Sequence, residues 1–231
     1  MSKITPIIML THNDVTVPNA FELFNECKDL PLENWGFKDV GMTEEKAIQL
    51  GLKMKEAGKL ASYEIVDFNE ASYKKAARIA LEGQFAYVAC GDFNQELADI
   101  LKDNNIGYMP TCGRLIHDPE PDGPCVMVSD KDELIQLADY GLSHGVTGFD
   151  CAFYRSKQYE GNELNQWLRE KYPDAYLCCA GSVSSKERIK FLVDIGFNAF
   201  TTGSALFDKV YVPGGTFYDN AKYLAEYVES L

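Results

Sequence analysis

A single (βα)8 barrel, the TIM-barrel architecture, is the fold the sequence predicts, and three observations predict it. Short apolar runs alternate with helical stretches eight times along 231 residues. Most of the helical stretches stop at a Gly or Asn before the next apolar run begins. No linker or low-complexity stretch divides the chain, so residues 1–231 read as one domain. Strands alternating with helices form parallel βαβ units. Eight of them in a chain close to the usual barrel length of about 250 residues favour a closed ring. An open doubly wound sheet is the alternative arrangement.

The first strand is residues 6–10, followed by a helix over 18–28. The second strand, 36–40, leads to a helix capped by Thr43 and ended near Gly58, with Glu44 and Glu45 suiting its N-terminal dipole. Strand three is 60–66, with a helix over 69–82 stopped by Gly83. Strand four is 85–90, its helix 94–104, and strand five 107–110. Residues 111–124 are rich in Gly, Pro and Asp and lack periodicity, which predicts a long loop or lid after strand five. A short apolar run at 125–128 follows, and Ser129 is expected to cap a helix reaching His144. Strand six is 147–151, with a helix over 162–171; strand seven is 175–180, with a helix over 184–195; strand eight is 198–202. A helix over 218–231 closes the chain.

The formal net charge is −13, and the isoelectric point is about 4.7. Such a chain repels nucleic acid and anionic lipid, so neither is an expected partner. An anionic ligand would require a locally positive site. Seven cysteines, an odd number without a CxxC spacing, suit reduced thiols in the cytoplasm. Cys178 and Cys179 are neighbours in a strand and should face opposite ways. No leader and no run long enough to span a membrane is evident, so a soluble cytoplasmic protein is expected, with a homo-oligomer left open.

The most informative segment follows strands seven and eight. Gly181-Ser182 and Gly203-Ser204 stand just past the two strands, one helix apart. Glycine lets backbone approach a ligand, successive N–H groups bind anions, and helix N-termini add positive potential. Eight-fold barrels commonly seat a phosphate on these two loops. Turn chemistry is the other account of each pair taken alone.

The stretch AGSVSSKERIKFLVDIGFNAFTTGSALF, starting at Ala180, resembles the phosphate-binding half of the ribulose-phosphate-binding barrel superfamily. That group includes sugar-phosphate epimerases, decarboxylases, aldolases of keto-deoxy sugar phosphates, and isomerases of histidine and tryptophan biosynthesis. The resemblance implies that Gly181, Ser182, Gly203 and Ser204 hold the phosphate of a small phosphorylated substrate.

Active sites of such barrels lie at the C-terminal strand ends. Lys38 stands inside an apolar strand, where a lysine is costly unless paired or functional, and suits an imine former or a proton-transfer group. Glu64, likewise a charge in an apolar strand, is placed to pair with Lys38 from the adjacent strand. Asp150 ends strand six and Asp14 ends strand one, giving Lys38, Glu64, Asp150 and Asp14 as the catalytic candidates. Arg114 and His117 lie in the long loop and are lid candidates. Cys90 and Cys112 are candidate nucleophiles, although strand-end cysteines are more often small buried hydrophobes.

No cofactor motif is present. A divalent metal held by His12, Asp14, Glu64 and Asp150 is the alternative, by analogy with metal-dependent epimerases of the superfamily. Those carry paired His and Asp at several strand ends, whereas this chain has 3 histidines, of which only His12 ends a strand. The Asp-x-Lys-x-x-Asp phrase of the decarboxylase branch is absent. The expected activity is carbon–carbon cleavage or isomerisation of a sugar phosphate or keto acid phosphate through an imine or enediolate. A barrel that binds a phosphorylated ligand without catalysis is the remaining reading.

Overall fold

A computed structural model of the chain describes residues 3–66, 69–89, 91–116 and 125–231. Eight parallel strands line the centre: β1 (Thr5–Met9), β2 (Asn34–Lys38), β3 (Leu60–Glu64), β4 (Tyr87–Ala89), β5 (Gly107–Met109), β6 (Gly148–Cys151), β7 (Tyr176–Cys179) and β8 (Ala199–Thr202). Hydrogen-bonded pairing runs β6-β7-β8-β1-β2-β3-β4-β5, all parallel. Backbone bonds then join the two ends of that order. Thr147 N donates to Tyr108 O at 2.9 Å, Asp150 N to Pro110 O at 3.0 Å, and Cys112 N to Asp150 O at 2.8 Å. The strands therefore make a ring, and the barrel expectation holds.

Helices α1 (Ala20–Cys27), α2 (Glu44–Glu56), α3 (Glu70–Glu82), α4 (Gln95–Asp103), α5 (Lys131–Ser143), α6 (Gly161–Lys171), α7 (Lys186–Asp194), the single turn α8 (Ser204–Phe207) and α9 (Phe217–Glu229) surround the ring. Strand alternation sorts the two faces. Ile8, Trp35, Phe37, Tyr63, Val88, Tyr108, Phe149, Leu177 and Phe200 point out into the main core under the helices. Ile7, Met9, Ala89, Met109, Cys178 and Ala199 fill the interior of the barrel. Cys178 thus faces in and Cys179 out, as neighbours on a strand must. Cys27, Cys112, Cys151, Cys178 and Cys179 are free thiols. Side-chain caps fix several helix starts: Thr43, Asn69, Asn94, Ser185 and Thr216 each accept the amide three residues on, a contribution of about 1 kcal/mol apiece.

The structure corrects three details. Asp130, not Ser129, caps α5; Ser129 is buried and accepts the Arg114 amide instead. Both residue types cap helices, and the choice is made by packing against the preceding ribbon. The segment after β5 is not a featureless loop at its edges, because Leu115–Ile116 pairs antiparallel with Val126–Met127. Residues 117–124 lie outside the described part. Finally, the chain does not run straight from β1 to α1. Thr11–His12 and Val15–Thr16 form a hairpin whose two-residue turn, Asn13 and Asp14, has φ of 50° and 62°. That is the type I′ geometry that matches strand twist, and Asn and Asp tolerate it best after glycine. No helix among the described residues is long and apolar enough to cross a membrane.

Ring closure depends on close approach of β6 and β7. A Cβ on Gly148 would lie 2.0 Å from the carbonyl oxygen of Tyr176, a backbone atom that cannot move without parting the strands. Gly148→Ala is expected to lower the unfolding free energy by about 3 kcal/mol. Gly58→Ala, which meets nothing within 4 Å but sits at φ 72°, is expected to cost about 1 kcal/mol. Denaturant melts of the two variants measure the contrast.

Candidate active site

Because Trp35 and Phe37 face out, Lys38 at the end of β2 faces in. It pairs in register with Glu64 at the end of β3. Its Nζ lies 3.3 Å from Glu64 Oε2 and 2.9 Å from Asp14 Oδ1. The side chains of Lys38 and Glu64 are only 13% and 5% exposed, so these charges are compensated by each other rather than by water. Thr16 fixes the lysine backbone, its Oγ1 donating to Lys38 O at 2.8 Å and accepting from Lys38 N at 2.9 Å. Asp39 takes no part in this trio; its carboxylate accepts the Val66 amide at 3.0 Å.

Asp14 is not at the end of strand one, as expected from the sequence, but at the tip of the hairpin. From there it meets Lys38 on one side and Arg155 on the other. Arg155 sits in a 3-10 turn, Phe153–Arg155, just past β6. Its Nη1 donates to Asp14 Oδ2 at 3.0 Å and its Nη2 to Asp14 Oδ1 at 3.3 Å. Strands β2 and β6 stand on opposite sides of the ring, so the hairpin tip ties the two walls together across the mouth. Burial alone would raise the carboxyl of Asp14, but the charges and hydrogen bonds of Lys38 and Arg155 overcome it and hold the pKa at about 2. Burial also works against the guanidinium of Arg155, and Asp14 more than offsets it. Two cations and two carboxylates make the cluster neutral. Arg155 escaped the sequence reading; its one signal is a cation just past strand six, in a loop that also carries Lys157.

Asp150 shares the inner face. It pairs in register with the inward Cys178, is 2% exposed, and its backbone helps close the ring. The thiol of Cys178 is pushed up by burial, with the carboxylates of Asp150 and Glu64 adding to it. Lys38, Glu64 and Asp14 are therefore in direct contact, with Asp150 on the same interior surface.

Other candidates fall elsewhere. His12 Nε2 lies 2.9 Å from Asp208 Oδ1, away from the trio. No group of three or more His, Cys, Asp or Glu placed to hold a metal ion occurs among the described residues. Arg114 is largely exposed, its partner being Glu133 at 3.6 Å rather than a member of the cluster. Cys112 is fully buried in the outer core, which accounts for it as a small hydrophobe. His117 and Cys90 lie outside the described residues.

The two Gly-Ser loops leave adjacent strands, since Cys178 pairs with Ala199 and Cys179 with Phe200. Gly181 and Ser182 both have positive φ, 68° and 57°. None of the amides from residue 181 to 184 donates to another described residue. A Cβ on Gly181 would lie 2.5 Å from Arg155 Nε, and one on Gly203 would lie 2.6 Å from the carbonyl oxygen of Thr11. Both glycines thus allow close packing at the mouth. Ser204 Oγ accepts the Asn13 amide at 3.0 Å, and the Ser182 carbonyl accepts from Arg188.

No family model and no curated protein matches the sequence. Solved structures do match. Native KDPGal aligns at a TM-score of 0.69 with 13% identity, over 100% of this chain and 97% of that one. Orotidine 5'-phosphate decarboxylase from Pyrococcus horikoshii aligns at 0.68 with 12% identity, over 97% and 100%. Phosphoribosyl anthranilate isomerase, solved with a reduced 1-deoxyribulose 5-phosphate derivative, aligns at 0.63 with 14% identity, over 99% and 100%. At such identities the likeness establishes the fold, and it extends along the whole chain rather than the Ala180–Phe207 stretch alone.

The depressed carboxyl of Asp14 carries a sign that can be checked. A carboxylate whose pKa falls from 3.8 unfolded to about 2 folded stabilises the fold above pH 4 and loses that effect as the pH falls through 2. Asn fits the same positive φ, so Asp14→Asn is expected to cost about 2 kcal/mol at pH 7 and progressively less toward pH 2. Urea melts of both proteins along a pH series test this.

Proposed function

We propose that the protein is an enzyme acting on a small phosphorylated carbonyl compound, a sugar phosphate or keto acid phosphate, by proton transfer through an enediolate. The observation that carries the reading is Lys38 held between Glu64 and Asp14 at the mouth of the barrel, 3.3 and 2.9 Å away. Active sites of this architecture gather at that end. An ammonium in two salt bridges has no lone pair with which to attack a carbonyl, so its geometry suits stabilising an oxyanion or delivering a proton better than forming an imine. Glu64 is the base that removes the proton next to the carbonyl, and Lys38 faces the oxygen on which charge develops. Asp150, on the same inner face and protonated at the outset, delivers its own proton at the neighbouring carbon, while Glu64 passes the one it removed to solvent. Isomerisation and aldol cleavage share this intermediate.

Gly181, Ser182, Gly203 and Ser204 hold the phosphate in this reading. The uncommitted amides of residues 181–184 support it. So do the neighbouring folds that bind or act on phosphorylated compounds, orotidine 5'-phosphate decarboxylase and phosphoribosyl anthranilate isomerase among them. A phosphate fixed at one end of the substrate converts binding energy into orientation of the reacting carbon.

The test is proton exchange in D2O, followed by NMR, over a panel of phosphorylated ketoses and phosphorylated keto acids. The wild type is expected to exchange the proton beside the carbonyl of at least one of them. Lys38→Met and Glu64→Gln are each expected to slow it by about 10²–10⁴-fold. A borohydride-trapped adduct on Lys38 would select the imine route instead. Exchange at none of these compounds, or at equal rates in wild type and Glu64→Gln, defeats the enediolate assignment.

A further inference from the structure

Arg155 spends its two terminal nitrogens on Asp14. Its third donor is different. The Nε atom is buried and has no hydrogen-bond partner among the described residues, and it lies so close to Gly181 that a Cβ there would sit 2.5 Å away. A buried donor left unpaired is costly, because it has given up water without gaining a partner. The same spot borders the four uncommitted amides of residues 181–184. In a chain of net charge −13, an anion seat needs a nearby cation. Lys38 is taken up by Asp14 and Glu64. Arg188 is turned to the Ser182 carbonyl and stacked 4.4 Å over the Tyr154 ring. Arg155 meets both the loop, at Gly181, and the charged cluster, at Asp14.

We propose that Arg155 is a substrate-binding residue that joins the two halves of the site. Its Nε–H completes the donors around an anion on the 181–184 loop, while Nη1 and Nη2 hold Asp14 against Lys38. The inference rests on reading that loop as the seat of the substrate phosphate. It adds a coupling, because Asp14 and the bound anion draw on the same positive charge. Filling the seat and loosening Asp14 are then linked events.

Calorimetric titration with inorganic phosphate tests it on the intact protein and its variants. Arg155→Met is expected to weaken binding by about tenfold or more, the loss of one charge-assisted bond. Arg155→Lys keeps the charge without the planar fork and is expected to fall between the two. Asp14→Asn frees the guanidinium and is expected to tighten binding several-fold, a gain that shrinks when Arg155→Met is added. Binding by Arg155→Met equal to wild type, or an equal gain from Asp14→Asn with and without the arginine, overturns the role of Arg155. If Arg155→Met fails to fold, Arg155→Lys matching wild type together with no gain in Asp14→Asn overturns it as well. Gly203→Asp separates the two levels of the argument. Wild-type binding that Gly203→Asp abolishes and Arg155→Met spares leaves the phosphate seat standing and removes only the arginine. No wild-type binding at millimolar phosphate removes both.

Discussion

A lysine turned into the mouth of a barrel must be neutralised where it stands, and the pairing of Lys38 with Asp14 and Glu64 does this. An isolated ammonium at 13% exposure would cost several kcal/mol. Glu64 arrives through strand register alone, because β2 and β3 pair Lys38 with Glu64. Asp14 requires a special device, a two-residue turn with both φ values positive. Two carboxylates against one lysine would leave an excess of negative charge, and Arg155 corrects it from the opposite wall. The tight fit of that arginine is in turn the reason residue 181 has no side chain. One buried charge thus dictates a hairpin, a glycine and a cation on three separate segments.

The interior sets charged groups directly against hydrocarbon. Ile7, Met9, Met109, Cys178 and Ala199 pack much of it. Glu64 lies in register with Ala89, and Ala89 with Met109, so charge and hydrocarbon meet at a single level of the strands. A charged layer resting on an apolar floor works in a low-dielectric setting, where fixed charges act more strongly on a reacting group than they would in water. The 181–184 loop with its uncommitted amides follows β7. The proposed proton-transfer groups and the proposed anion seat are therefore neighbours by topology, since β7, β8, β1 and β2 are consecutive around the ring.

Much of this was readable from the residues. The alternation of apolar runs with capped helices disclosed the eight units, because each strand buries one face under a helix. Lys38 and Glu64 stood out as charges inside apolar strands at matching offsets. What could not be read was contact between distant segments. Asp14 and Arg155 are 141 positions apart, and no local pattern links them. Ser129 and Asp130 are both good caps, and only packing decides between them. Arg114 belongs to the exposed charges that local composition cannot distinguish from a lid residue until its partner, Glu133, is seen. The positive φ of the Asn13-Asp14 pair hid a hairpin inside what reads as the end of a strand.

The hairpin has a consequence for how the molecule comes into being. Its contacts join residues separated by 141 positions at Arg155 and 191 at Ser204, among the longest loops the chain can close. Closing such loops is entropically late, because local helices and adjacent strand pairs form first. On a ribosome the hairpin emerges early and meets Lys38, but Arg155 and Ser204 join it only when most of the chain has followed. The charged cluster therefore stays incomplete until residue 155 has joined it, whatever the rest of the chain has already formed.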